Sequence, residues 1–273
     1  MSGHQEATKL TVISLGAGHQ SSVMSLLAAD GVIEPMPDAA IFADTQWEPP
    51  DVYENLDWLK QVLPFPVYRV TAGDIRADVL GGKEGKRFAA VPFYTSGGGM
   101  GRRQCTREYK IEPINRKIRE LLGVGKGQRV PKGTTVTKWI GISVDEASRM
   151  KPAHEPWAEH RWPLVDLAMT RSNCVRWFQE HYPGRTLPRS ACVGCPYHDD
   201  NEWRRLRDHH PESFAEAVEF DRQIRDGGSL KGMHEKQYLH QSLMPLGEVD
   251  LRTAEDRGQE NMFENECAGY CGV

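Results

Sequence analysis

Short apolar runs alternate with amphipathic stretches along the first part of the chain. Residues 9–15 and 38–43 are apolar runs that end at a glycine or an aspartate, which predicts two buried strands. Residues 50–63 place Val, Leu, Leu and Leu on one helical face, and residues 66–70 form a third short apolar run. Parallel strands need crossover connections, so this alternation predicts a parallel sheet covered by helices.

The alternation continues toward the C-terminus. The pattern predicts a helix over residues 106–122, a strand over 134–143, a helix over 170–182, and two helices within 201–225 that are broken near Pro211. We therefore expect an α/β fold with a Rossmann-like parallel sheet flanked by helices. Its predicted extent is residues 1–163, followed by a helical or irregular, cysteine-bearing C-terminal region over 164–273.

Composition and charge narrow the class of protein. The chain has 273 residues, of which 39% are hydrophobic and 26% charged, as in ordinary globular proteins. Its net charge of −4 excludes a strongly basic field over the whole molecule. Neither a secretory signal nor a stretch of about 20 apolar residues is visible, so we expect a cytoplasmic protein with no membrane partner. In a reducing compartment, its cysteines are expected to be ligands, redox groups or buried thiols.

The segment GAGHQSS at residues 16–22 lies between the first strand and its helix, where backbone amides can hold an anion. It resembles the pyrophosphate-binding loop SGGxDS of the N-type ATP pyrophosphatases. The segment ADTQWE at residues 43–48 is similar to the ADTGxE pattern of the same superfamily. Gln20 replaces the aspartate that helps to hold Mg²⁺, and glutamine also occurs in the corresponding loop of phosphosulfate reductases. The loop therefore resembles both branches, and ATP hydrolysis does not follow from it.

Two further segments carry candidate anion ligands. Residues 102–113 resemble the CCxxRKVxPL segment of iron-sulfur adenylylsulfate reductases, with a single cysteine, Cys105. A helix there would bring Arg107 and Lys110 together at positions i and i+3 as phosphate or sulfate ligands. Residues 139–149 are similar to the superfamily's GIRxDESxxR segment.

The cysteines suggest a metal or iron-sulfur site. Cys192 and Cys195 form a CxxC pair in a predicted loop. Cys267 begins a segment that resembles the ECGxH tail of the reductases, in which the cysteine is the nucleophile; the histidine is missing and Cys271 is extra. Cys174 falls in an apolar helix and is expected to be an inert core residue.

The motifs occur in the order typical of the superfamily, from about residue 14 to residue 271. The chain thus resembles the adenine nucleotide α-hydrolase superfamily, in its phosphoadenosine phosphosulfate reductase-like branch and as an iron-sulfur variant. The resemblance implies a [4Fe-4S] cluster on Cys105, Cys192, Cys195 and Cys267, with a structural zinc ion or a redox dithiol as alternatives. It also implies ATP or another adenine nucleotide, with Mg²⁺ as a candidate, at Ser14, Gly16, Ala17, Gly18, Gln20, Ser21, Ser22, Asp44, Thr45, Gly141, Asp145 and Arg149.

Three functions are compatible with these features. In the first, a phosphosulfate reductase-like enzyme uses a tail cysteine, Cys267 or Cys271, against a sulfonucleotide, with a thiol or electron-donor protein as partner. In the second, an ATP-dependent sulfurtransferase thiolates tRNA or DNA. In the third, the chain is a non-catalytic nucleotide-binding module that contains structural zinc.

Overall fold

The computed structural model describes residues 9–81, 91–226 and 235–252. Within these residues, five strands form a parallel sheet and two short strands form an antiparallel pair. The strands are β1 (Lys9–Leu15), β2 (Ala39–Asp44), β3 (Val67–Thr71), β4 (Tyr94–Thr95), β5 (Thr135–Ile140), β6 (Ala158–Arg161) and β7 (Gln237–Tyr238).

The main sheet has the strand order β3-β2-β1-β5-β6, with β1 in the centre. Ile13 of β1 lies in register with Ala40 of β2 on one side and Trp139 of β5 on the other. This arrangement confirms the predicted Rossmann-like parallel sheet. Strand β6 was not predicted, because its sequence AEHR at the sheet edge has no apolar run.

Helices cover both faces of the sheet and continue beyond its carboxyl edge. The chain forms a π-helix over Thr106–Ile111 and 3-10 helices over Val144–Arg149 and Leu246–Glu248. The α-helices are α1 (His19–Ala29), α2 (Pro50–Val62), α3 (Ile75–Gly81), α4 (Glu112–Leu121), α5 (Pro163–Asp166), α6 (Arg171–His181), α7 (Asp200–His209) and α8 (Pro211–Ile224). The predicted break near Pro211 separates α7 from α8.

The apolar core has three parts. On one face of the sheet, α1 and α2 pack with Cys174 and Phe178 of α6, and on the other face Ile114 and Ile118 of α4 cover the strands. A third cluster, which includes Trp47 and Phe220, joins α7 and α8 to the segment that follows β2. The C-terminal helices therefore pack against the edge at which the parallel strands end.

Contacts of this core cross the predicted boundary at residue 163. Leu164 and Cys174 belong to the same buried cluster as Ile13 and Leu27. The division into two regions remains a prediction, which a truncation can test. Separately, none of the helices in the described part of the chain has the length and hydrophobicity that crossing a membrane requires.

Candidate functional site

The glycine turn after β1 is held in shape by buried hydrogen bonds. Asn55 Nδ2 donates to the carbonyl oxygen of Ala17 (2.8 Å) and to Ser22 Oγ (2.9 Å). The backbone N–H of Gly16 donates to Ser21 Oγ over 3.1 Å. Ala17 has a φ of 54°, in the left-handed region that non-glycine residues seldom adopt. Ala17 and Ser22 thus shape the turn.

A second loop packs directly on this turn. A Cβ added to Gly18 would lie 2.7 Å from the backbone nitrogen of Ser190, and one added to Gly16 would lie 2.8 Å from Ser190 Oγ. Gly141 approaches the first turn of α1 equally closely, since its Cβ would lie 2.9 Å from Ser21 Cα. Glycine at these three positions lets three separate segments meet at one point.

A cleft opens between these segments at the carboxyl ends of the strands. Its lining brings together eight of the residues that the sequence predicted for nucleotide or anion binding: Ser14, Gly16, Gly18, Gln20, Ser21, Lys110, Gly141 and Arg149. Ligands bind at this edge of open parallel sheets, because the loops and helix N-termini converge there.

One wall of the cleft is a charged network around Glu146. Gln20 Nε2 donates to Glu146 Oε2 over 3.1 Å, and Arg149 forms an ion pair with the same carboxylate at 2.8 Å. Burial raises the pKa of the Glu146 carboxyl, while Arg149 and Arg171 act to lower it. Asp145 is not in the lining; its Oδ1 accepts the backbone N–H of Arg171 over 3.0 Å.

The π-helix determines which basic side chain enters the cleft. Lys110 lines the cleft, whereas the side chain of Arg107 is 79% exposed and pairs with Glu112 over 3.2 Å. The structure therefore does not bring the two candidate anion ligands together. In a π-helix the backbone hydrogen bond spans five residues instead of four, so positions i and i+3 lie farther apart around the axis than in the α-helix that we predicted.

Asp44 and Thr45, at the end of β2, lie behind the cleft. The Asp44 carboxylate accepts hydrogen bonds from Tyr53 (2.9 Å), from Arg69 (2.7 Å and 2.9 Å) and from the backbone N–H of Gln46 (2.8 Å). Both of its oxygens are therefore bonded within the protein. Thr45 instead lines a second cavity.

This second cavity contains three cysteines. Cys105, Cys192 and Cys195 line it together with apolar residues such as Trp47 and Phe220. A Cβ on Gly194 would lie 2.1 Å from the Trp47 ring, so the CxxC turn fits against Trp47 only with glycine at that position. The fold thus brings cysteines nearly ninety positions apart in the sequence to a common cavity.

Buried polar groups connect the cysteine cavity to the cleft. Thr45 Oγ1 donates to Glu48 Oε1 (2.9 Å) and lies 3.2 Å from Cys192 Sγ. Burial raises the pKa of Glu48 and that of the Cys192 thiol. Glu48 lines the cleft, and its Oε2 has no hydrogen-bond partner among the described residues. Lys110 lines both cavities, so the two share a wall.

The remaining cysteines have different environments. Cys174 is fully buried in α6, where burial raises its pKa to about 12, as expected of a core thiol. Cys267 and Cys271 lie outside the described residues. Within residues 9–81, 91–226 and 235–252, no three His, Cys, Asp or Glu side chains form a group that could hold a single metal ion.

Four lining residues were missed by sequence reasoning. His19 carries no motif signal of its own, and Arg171, Arg189 and Ser190 belong to segments far along the chain. Only the packing of α6 and of the loop before Cys192 brings these segments to the cleft. The basic residue at the start of a helix, Arg171, was the one visible signal, and it has no meaning until that helix is placed.

The fold and the cleft define the class: a Rossmann-like α/β protein with an anion-binding glycine turn at the ends of its parallel strands. Residues 11–150, just over half of the chain, match the family described as the phosphoadenosine phosphosulfate reductase domain. The chain therefore belongs to the phosphoadenosine phosphosulfate reductase-like family, within the adenine nucleotide α-hydrolase-like superfamily. No curated protein matches the sequence significantly.

Proposed function

We propose that the protein is a phosphoadenosine phosphosulfate reductase-like enzyme of sulfur metabolism, which binds an adenine nucleotide next to a [4Fe-4S] cluster. The observation that supports this most strongly is the wall shared by the two cavities. Lys110 and Thr106 line both the cleft and the cysteine cavity. A sulfonucleotide in the cleft could therefore direct its anionic sulfur-bearing end toward the cysteines.

The cysteine cavity suits such a cluster. Its donor set includes three thiols, Cys105, Cys192 and Cys195, and the cationic side chains of Arg103 and Lys110 also line it. Thiolates hold iron-sulfur clusters, and nearby positive charge favours the thiolate form. Cys267 would be the fourth ligand. When bound, the cluster would tune the electrostatic field and the redox properties of the adjoining site.

The proposed reaction uses a tail cysteine as the nucleophile. With Cys267 on the cluster, the thiolate of Cys271 attacks the sulfur of an adenylylated sulfate, and a sulfur–sulfur bond forms as the bond from sulfur to the phosphate oxygen breaks. The nucleotide leaves with the electron pair of that bond. A dithiol donor protein then reduces the thiosulfonate on the cysteine to sulfite and is itself oxidised to a disulfide. Lys110 and Arg149 would hold the anionic groups.

Release of nucleotide and sulfite from sulfonucleotides tests this function. Protein purified without oxygen should release both from adenylylsulfate or its 3′-phosphorylated form when a dithiol is present. We expect Cys271→Ser and the double variant Cys267→Ser/Cys271→Ser to lose this activity, and Cys174→Ala to retain it. Full activity in the double variant would exclude the proposed nucleophiles.

A second candidate is an ATP-dependent sulfurtransferase that thiolates tRNA or DNA. Arg102, Arg103 and Arg107 are exposed, and Arg103 also lines the cysteine cavity, so a nucleic-acid backbone could bind beside the cysteines. Gln20 weakens this version, because ATP chemistry in this superfamily uses an aspartate there. Mg²⁺-dependent release of AMP or pyrophosphate with tRNA or DNA would support it. Tight ATP binding with one zinc ion and no turnover would favour the non-catalytic module instead.

A further inference from the structure

The nucleotide cleft carries more positive than negative side chains. Burial raises the pKa of both carboxyl groups that line it, which reduces their negative charge further. An excess of positive charge in a concave site favours an anionic ligand. Among the described lining residues, the charged side chains are Lys110, Arg149, Arg171 and Arg189 on the basic side and Glu48 and Glu146 on the acidic side.

The basic residues occupy different parts of the cleft. Lys110 also lines the cysteine cavity, whereas Arg171 lines the cleft alone. An anionic group bound by Lys110 is therefore next to the cysteines. A group bound by Arg171 lies in a part of the cleft that the cysteines do not line.

Arg171 is also held on a rigid support. It is the first residue of α6, whose N-terminus has a capping box formed by Thr170 and Asn173. Its backbone N–H donates to Asp145 Oδ1, which joins α6 to the segment after β5. A guanidinium group presented from such a position can bind two oxygens of one phosphate in a fixed geometry.

Arg189 has a different role in the same cleft. Its side chain is only 10% exposed, and it donates to Asp199 Oδ2 over 3.0 Å and to the carbonyl oxygen of Tyr197 over 3.4 Å. These bonds join the loop before Cys192 to the start of α7. Arg189 therefore supports the loop, which leaves Arg171 as the better candidate for a ligand contact.

We infer that Arg171 binds a phosphate group of the nucleotide that takes no part in the reaction. This rests on the proposed function to the extent that the cleft must bind an adenine nucleotide. The phosphate is either the 3′-phosphate of a sulfonucleotide or one of the outer phosphates of ATP. In both cases the ligand class is an adenine nucleotide with more phosphate than AMP.

Calorimetric binding to four probes tests the role of Arg171. The probes are adenosine, AMP, adenosine 3′,5′-bisphosphate, and ATP without Mg²⁺, each titrated into protein purified without oxygen. We expect the wild-type protein to bind the bisphosphate or ATP about 10- to 100-fold more tightly than AMP, since charge-assisted hydrogen bonds have this strength. Arg171→Ala should abolish that difference, and Arg171→Lys should restore part of it.

Arg176→Ala is the matched control, because Arg176 is exposed on the same helix and does not line the cleft. It should bind all four probes as the wild type does. Loss of the bisphosphate advantage alone identifies the 3′-phosphate, and loss of the ATP advantage alone identifies the outer phosphates; both support the inference. It is overturned if both advantages persist in Arg171→Ala, if the wild type has neither, or if adenosine binding falls equally.

The binding assay is independent of turnover. A wild-type protein that shows the expected binding pattern but releases no sulfite or pyrophosphate would contradict the proposed function and still support the role of Arg171. An active enzyme whose Arg171→Ala variant keeps its preference for the extra phosphate would contradict the role of Arg171 alone.

Discussion

Gly18 is the residue at which the nucleotide turn and the loop before the CxxC pair come closest. Because an added Cβ would lie 2.7 Å from the Ser190 backbone, alanine forces the two loops apart. We expect Gly18→Ala to lower the free energy of unfolding by about 1–3 kcal/mol and to weaken adenine nucleotide binding about tenfold or more. Urea denaturation and calorimetry measure the two effects. Gly101→Ala, whose Cβ would meet nothing nearer than 3.4 Å, should have neither effect; equal effects would show that the contact at Gly18 is unimportant.

His19, in the first turn of α1, should make the protein sensitive to mild acid. Burial lowers its pKa to about 4, and Arg171, Arg205 and Arg189 act in the same direction, against Glu202. The unfolded chain, with an ordinary histidine pKa of 6.5, binds more protons in this range. The contribution to stability is therefore complete above about pH 6.5 and is lost as the pH falls toward 4.

We expect His19→Asn to remove about 2 kcal/mol of the stability loss between pH 7 and pH 5. Urea denaturation of both proteins at the two pH values measures the difference. An unchanged pH dependence in the variant would mean that His19 is not protonated more readily in the unfolded state, contrary to the burial seen at the start of α1.

Among the elements, the π-helix makes the clearest functional distinction. It directs Lys110 into the cleft and leaves Arg107 exposed in a pair with Glu112. If Lys110 stabilises developing anionic charge, Lys110→Ala should lower kcat/KM for a sulfonucleotide about 100-fold or more. Arg107→Ala should change it less than about twofold, as for other exposed ion pairs. Comparable losses in steady-state assays would place Arg107 in the substrate site as well.

The sequence pattern was informative for elements with a buried apolar face. Strands β1, β2, β3 and β5 and the helices α1, α2 and α6 all follow from apolar periodicity and are confirmed. Strand β6 could not be predicted, because its edge position requires no apolar run. The π-helix was predicted as an ordinary helix, since residues 106–122 carry one continuous apolar pattern and nothing local marks the change in backbone hydrogen bonding.

At the scale of the whole molecule, the two predicted regions share their cores. Phe178 and Leu164 pack with the helices of the first region, and Val193 and Phe220 pack with Trp47. We expect the fragment 1–163 to lack cooperative unfolding in circular dichroism, because its removal of α6 to α8 exposes both clusters. The fragment 1–252, which keeps all of the described core residues, should unfold cooperatively. A cooperative transition in the shorter fragment would support an independent domain boundary at residue 163.

The candidate site was only partly predictable for the same reason. Motifs local to one loop, such as Gly16 to Ser21 and the CxxC pair, are visible in the sequence and meet in the structure. Arg171 and Arg189 depend on how the C-terminal helices pack, which no local pattern encodes. Asp44 shows the opposite case: its motif suggests a ligand, but the fold surrounds its carboxylate with Arg69 and Tyr53.

The iron and acid-labile sulfide content of protein purified without oxygen tests the central claim most directly. The cysteine cavity predicts about four irons and four sulfides per chain, with the absorption of a [4Fe-4S] cluster. These values should be lost in Cys105→Ser, Cys192→Ser and Cys195→Ser and retained in Cys174→Ala. One zinc ion per chain without sulfide, lost in the same variants, would contradict the account and make the cysteines structural.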